Sequence, residues 1–260
     1  MTPRLRLDRR QLLVRSGGII AGAASLPLLT GCDAINEAPA VRKILGMGEL
    51  MHQHSQRALT NRDALAPEFS RADLSPVFRA NGTRLPPGDA YAAHARAGFA
   101  DWRLAITGLV ARPLSLSLRD IRAMDQRTQI TMHNCVEGWT AIGEWTGVPL
   151  KAMLAAAGMK DSARYVVFRC ADRIGARDYY ESVDLTDALH PQTIMAWMLN
   201  GDALKIENGA PLRLRAERHL GYKQAKYVTG IEVVASLDGI GDGKGGYWED
   251  RISYEWYAGI

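Results

Sequence analysis

Apolar and polar positions alternate most cleanly from Asp101 onward. In DWRLAITGLV (101–110), Leu104 and Ile106 share one side of a two-residue repeat, which predicts a strand ending at Arg112-Pro113. Ser117-Leu118-Arg119-Asp120 places a capping serine ahead of a short helix to Met124. RTQITM (127–132) predicts a second strand. Leu150, Met153 and Leu154 follow Pro149 at helical spacing and stop before Gly158, so Pro149 opens a helix. The Tyr-Val-Val-Phe run makes 164–170 a buried strand. Residues 193–199 are apolar enough for a strand or short helix, and Leu212–Leu214 and Ile231–Val234 predict further strands. Strands interleaved with short helices imply an α+β domain with mixed sheets.

Residues 41–98 are less regular. Met47–Leu59 has helical spacing, and Leu65–Pro87 is loop-like, broken by Pro67, Pro76, Gly82, Pro86 and Pro87. His52 and His54, two apart on a helix, would not share a face, so surface roles are expected for them rather than metal ligation.

Charge changes the picture at the N-terminus. The 260-residue chain carries a net charge of +4. Arg4, Arg6, Arg9, Arg10 and Arg15 against Asp8 already give that value within residues 1–31, so the rest sums to zero. Basicity is therefore a leader feature, and nucleic acid is excluded as a partner. The leader joins Arg9-Arg10-Gln-Leu-Leu13 to a weakly apolar segment, Gly17–Leu29, too short for a transmembrane helix. It resembles a twin-arginine export signal, although Asp8 and Leu12-Leu13 depart from the usual pattern; an ordinary Sec signal is the alternative. Leu29-Thr30-Gly31-Cys32 resembles a bacterial lipobox, which implies a lipid anchor on Cys32; cleavage after Ala38-Pro39-Ala40 would instead release a soluble protein. The expected organisation is an export signal (1–31), an N-terminal extension (32–98) and one main folded domain (99–260).

Candidate chemistry centres on Cys135, which the 127–132 strand delivers into a turn at Glu137-Gly138. A lone thiol is often a small buried hydrophobe. As a nucleophile it would need a base, and His133, two residues back, would face the same side of a strand. As a thiolate it is a soft metal ligand. The chain's three cysteines cannot build a four-thiolate iron–sulfur cluster, and no C-x-x-C-H haem motif is present. Any redox metal would therefore exchange electrons with another protein.

The chain holds C-V-E-x-W at Cys135–Trp139, W-x-G-V-P-L at Trp145–Leu150, H-P-x-T-x-M at His190–Met195, and N-G-x-x-L at Asn200–Leu204. N-G-A-P-L-R-L at Asn208–Leu214 and L-G-Y-K-x-x-K at Leu220–Lys226 come after them. In this order and spacing the motifs resemble the molybdopterin-binding core of the sulfite oxidase family, nearest its periplasmic methionine sulfoxide reductase branch. The resemblance covers residues 99–260 well and 41–98 poorly. It implies a mixed-sheet core of the sulfite oxidase type holding one molybdenum per chain in molybdopterin, with Cys135 as the protein ligand to the metal. Asn208, Arg213, Gln224, Ala225 and Lys226 match cofactor contacts by position, and Phe78, Arg79 and Asn81 fall nearest a further pterin-holding segment. Cys170 stands where relatives have a threonine, so it is a weaker cofactor contact, a core residue, or a disulfide partner of Cys135. Glu137 borders the metal pocket or caps the turn, and His133 replaces an arginine of closer relatives.

The implied activity is periplasmic oxygen-atom transfer, reducing a small or protein-bound sulfoxide such as methionine sulfoxide. The electron partner would be a membrane haem subunit or a c-type cytochrome. Alternatives are sulfite oxidation with a cytochrome acceptor and a lipid-anchored binding protein that has lost the cofactor. The aromatics of Gly245–Ile260 line a substrate mouth or partner surface, or pack under the sheet.

Overall fold

A computed structural model describes residues 38–260; the export-signal and lipobox expectations lie outside the described residues. The chain clusters into two compact units, Met1–Met47 and Gly48–Ile260. Of the first, the described part is the opening of helix α1 (Pro39–Leu59), with proline at its first position. The second unit holds every strand and the remaining helices among the described residues.

Its strands form two sheets. One runs β2 (Leu114–Ser117), β1 (Arg103–Gly108), β10 (Val228–Val234), β5 (Tyr165–Ile174) and β6 (Arg177–Asp184). Within it β1 and β10 are parallel and the remaining pairs antiparallel, so the sheet is mixed. The other runs β3 (Arg127–Cys135), β4 (Trp139–Pro149), β7 (Ile194–Leu199) and β8 (Asp202–Ala203), with β9 (Arg213–Arg215) also on β7. Leu104 and Ile106 are fully buried, as the alternation requires, and join Val148, Leu150, Leu154, Phe168 and Ile231 in a core that draws on both sheets. Burying each such side chain contributes about 1.5–3 kcal/mol.

Local signals worked where they are chemically specific. Ser117 caps helix α3 (Leu118–Ala123) by accepting from the Asp120 amide, and the Asp120 carboxylate accepts from the Ser117 amide at 2.8 Å. Helix α4 (Leu150–Ala157) begins after Pro149 and ends at Gly158, whose φ of +69° is the left-handed stop that glycine permits. Helix α2 (Asp89–Arg96) is tied to the core by Tyr91, whose hydroxyl donates to Ala210 O at 2.6 Å.

The structure corrects the expectations in three places. β3 runs on past the expected end at Met132 to Cys135 and pairs in unbroken register with β4, a strand (Trp139–Pro149) that the patterning did not predict. β5 extends to Ile174 and turns into β6, which hydrophobic patterning did not reveal. The reason is that β6 buries polar residues, Glu181 and Ser182, that break an apolar repeat. A last helix, Tyr247–Ile252, lies within the C-terminal aromatic stretch.

Candidate active site

A cavity of about 190 Å³ opens where the ends of β3, β5 and β6 meet the 221–226 turn. Cys135, Val136 and Glu137 line it from the β3–β4 turn, Asp172 and Ile174 from β5, and Tyr179 from β6. Asn81, Gly82 and Thr83 close one side; Gly221, Tyr222, Gln224 and Lys226 form another, with Trp248 and Tyr254 completing the wall.

Cys135 is the last residue of β3. Its carbonyl accepts from the Gly138 amide at 3.1 Å, and Gly138 has a φ of +85°, so the tight turn holds the thiol at the cavity. Burial pushes the thiol's pKa up, offset in part by a hydrogen bond from the Glu137 backbone. Left to itself the sulfur is a protonated thiol; only a cation or metal would make it a thiolate. Glu137 is fixed from two sides, accepting from the Trp139 indole at 3.1 Å and the Gly82 amide at 3.1 Å, and the indole bond leads in lowering its pKa. It is a permanent carboxylate at the cavity edge that also ties residues 81–83 to the turn.

His133 does not line the cavity. It is fully buried, and its Nδ1 accepts from Arg215 Nη1 at 2.9 Å. Burial, then the Arg215 and Arg213 charges, hold it well below the ordinary histidine range. An imidazole kept neutral in this way is a poor acceptor for a Cys135 proton. Gly221 explains its placement: a Cβ there would meet His133 Nε2 at 2.7 Å, so only glycine lets the 221–226 turn lie over the ring. Cys170 also sits off the cavity, partly buried and packed against the main core. Both Cys135 and Cys170 are free thiols, so the disulfide alternative is not realised.

The cationic floor is the most informative feature. Arg213 is fully buried on β9 between the Asn208 carbonyl (2.9 Å) and the Trp145 ring (5.0 Å), and its Nε has no hydrogen-bond partner. Among the described residues it makes no ion pair, whereas Arg215, two residues on, is neutralised by Glu217 at 2.5 Å. Lys226 donates to three carbonyls, Asn81 O at 2.7 Å, Thr83 O at 2.5 Å and Glu207 O at 2.8 Å, and to no carboxylate among the described residues. Burial first, then Arg213, push Lys226 down to about 7. Asp172, Glu137 and Glu207 act on Lys226 only at a distance, without a direct ion pair, and two buried cations so placed are costly unless an anion arrives.

Around them Asn208 Nδ2, Gln224 Oε1, Asn81 Oδ1 and Asp172 Oδ1 are buried and unpartnered. Such a set of orphaned donors and acceptors beside two unpaired cations fits a large polar group bearing a phosphate. Of the residues expected at the site, Cys135, Glu137, Gln224 and Lys226 line one cavity. Arg213 and Asn208 lie behind its floor, and Ala225 is buried in the same turn, its carbonyl accepting from Leu214 N at 2.8 Å. Sequence reading missed Thr83, Asp172 and Tyr179, whereas Tyr222 stands within the L-G-Y-K-x-x-K motif without having been singled out. Asp172 and Tyr179 carry one signal, spacing: with Ile174 they flank the Gly175 hairpin tip in a strand pair too polar to read.

Residues 91–238 match the family described as oxidoreductase molybdopterin binding domain. The chain is 37% identical over 251 residues to the "Putative protein-methionine-sulfoxide reductase subunit YedZ1" of Azospira oryzae, covering 96% of this chain and 87% of that one. It also aligns with the sulfane dehydrogenase SoxCD of Paracoccus pantotrophus, at 26% identity and a TM-score of 0.49. That alignment covers 53% of this chain and 39% of the SoxCD chain.

Proposed function

We propose a catalytic reading that starts from membership: the chain belongs to the oxidoreductase molybdopterin binding domain family and is a molybdopterin-dependent oxidoreductase. In this reading it reduces a sulfoxide, of the methionine sulfoxide type, by oxygen-atom transfer in the periplasm. The observation that carries it is the pairing of one cavity-lining thiol with two buried cations that make no direct ion pair among the described residues. Cys135 would hold molybdenum as its thiolate, and Arg213 and Lys226 would hold the pterin phosphate, with Asn208, Gln224 and the Ala225 backbone shaping the rest of the seat. Bound there, the molybdenum cofactor supplies two-electron redox chemistry and exchange of an oxygen atom with the substrate.

The chain's own residues set access and field. Tyr222, Trp248 and Tyr254 give the cavity an aromatic wall suited to the apolar carbons of a thioether. Glu137 places a fixed negative charge at the cavity edge, which disfavours anions such as sulfite and favours a neutral sulfoxide. Similarity to YedZ1 supports the sulfoxide direction. Electrons would come from an external haem partner, a membrane subunit or a c-type cytochrome, and the protein would be exported by the twin-arginine route with a lipid on Cys32.

The test is turnover of the purified, natively exported protein with a reduced viologen dye and methionine sulfoxide, beside sulfite with ferricytochrome c. Sulfoxide-dependent dye oxidation without sulfite oxidation is expected. Sulfite oxidation alone would reverse the direction, and neither activity in a metal-loaded sample would reject the reading. Accumulation of precursor under globomycin tests the lipid separately.

A further inference from the structure

Beneath the cavity wall lies a second cluster that cofactor binding does not use. Lys223 Nζ sits 2.7 Å from Glu181 Oε2 and 2.5 Å from Glu249 Oε1, with all three side chains buried. Two carboxylates and one ammonium leave a net charge of −1 in the interior, which is expensive unless one proton is held. The Oε2 atoms of Glu181 and Glu249 converge on Gly246, where a Cβ would lie 2.6 Å and 2.1 Å from them; Glu249 Oε2 has no other partner. Burial and the Glu249 charge keep the Glu181 carboxyl well above its ordinary range, against the pull of Lys223.

This cluster touches the cavity through one side chain. Tyr179 lines the cavity, and its hydroxyl lies 3.5 Å from Glu181 Oε1 and donates to Tyr222 O at 3.0 Å. The groups facing the pair are Tyr179 and Tyr180 from β6, Lys223 and Tyr222 from the 221–226 turn, and Cys170 from β5. Trp256 covers the Lys223 ammonium at 5.6 Å.

We propose that Glu181 and Glu249 share one stored proton, balanced by Lys223, and that Tyr179 relays it to the substrate oxygen in the cavity. The proposal rests on the sulfoxide reading for its substrate. Reduction of a sulfoxide takes two electrons, from the external haem donor, and two protons: the S=O bond breaks, two O–H bonds form, and a thioether and water leave. The cluster supplies one proton and cavity water the other, and the cluster is reprotonated from cavity water through Tyr179. These are positioning and proton-holding groups, not metal ligands.

The stored proton is tested without turnover. In the purified protein at about pH 8, where free carboxyls are ionised, infrared spectra should contain a carboxylic C=O band that shifts in D2O. Glu181→Gln and Glu249→Gln should each remove it. A spectrum unchanged in a folded variant overturns the store. The relay is tested in Tyr179→Phe, with sulfoxide and reduced viologen: kcat should fall about tenfold or more, with KM and bound molybdenum unchanged and an altered solvent isotope effect on kcat. Wild-type kcat and isotope effect in Tyr179→Phe overturn the relay. If the wild-type enzyme lacks sulfoxide turnover, the functional reading fails while the infrared result still decides the store.

Discussion

Lys223 and Lys226 stand three residues apart in one turn, both buried, and their surroundings are opposite. Lys223 faces two carboxylates; burial opposes its charge, but Glu181 and Glu249 outweigh burial and raise its pKa. Lys226 faces three carbonyls and an unpaired Arg213, and its pKa falls to about 7. A cation supplied with acids is part of the scaffold, even when it also manages a proton. A cation such as Lys226, which feels Asp172, Glu137 and Glu207 only at a distance and pairs with none of them, is left to meet something that comes from outside. The same contrast separates Arg215, paired with Glu217, from Arg213.

Substitution on the scaffold side should do the most damage. Lys223→Met leaves the negative charge of the buried Glu181–Glu249 pair uncompensated, and such losses cost about 3–5 kcal/mol. Thermal unfolding should show a fall of roughly 10 °C at about 2–4 °C per kcal/mol for a chain of this size. Arg213→Met removes an unpaired charge instead. Cofactor retention, measured as pterin released on denaturation, should fall at least about tenfold through loss of a charge-assisted anion contact. The stability of the cofactor-free form should move by only about 1 kcal/mol.

A pH titration separates the two lysines further. With a native pKa near 7 and an unfolded value of about 10.4, Lys226 binds fewer protons folded than unfolded between those limits, so its contribution to stability rises with pH there. Lys223, raised when folded, contributes stability that is present below about 10.4 and lost only in stronger alkali. Glu181, also raised, opposes the Lys226 slope, so the informative quantity is the difference between wild type and Lys226→Met. Chemical denaturation of the cofactor-free proteins should show the wild-type slope more positive from pH 7 upward. Inorganic phosphate should give the smallest effect: about 1 kcal/mol of stabilisation, at concentrations several times its Kd. That gain should vanish in Lys226→Met.

What was legible in the sequence obeys the same division. Apolar alternation at Leu104 and Ile106, the Ser117–Asp120 cap, and the Pro149-to-Gly158 helix were readable because each is a local rule with a local cause. The motifs around Cys135 and 208–226 fall on the cavity and its floor, and the family match bears out that resemblance. β6 was not readable. Glu181, Ser182 and Tyr179 are polar or amphipathic groups whose burial is balanced by partners far along the chain, at Lys223, Gly245 and Tyr222. Periodicity registers where a side chain points, and is blind to a partner that distant in sequence. His133 shows the converse: two-residue spacing put it beside Cys135, but only the fold revealed Arg215 at its Nδ1.

That Cys135 and the directly unpaired cations Arg213 and Lys226 together seat a molybdenum cofactor is decided by molybdenum and phosphorus analysis of natively exported protein, wild type beside Cys135→Ser and Arg213→Met. About equal molybdenum and chain are expected in the wild type, with strongly reduced molybdenum in Cys135→Ser. Arg213→Met should lose metal and pterin phosphate together. Wild-type molybdenum in both folded variants would overturn the assignment.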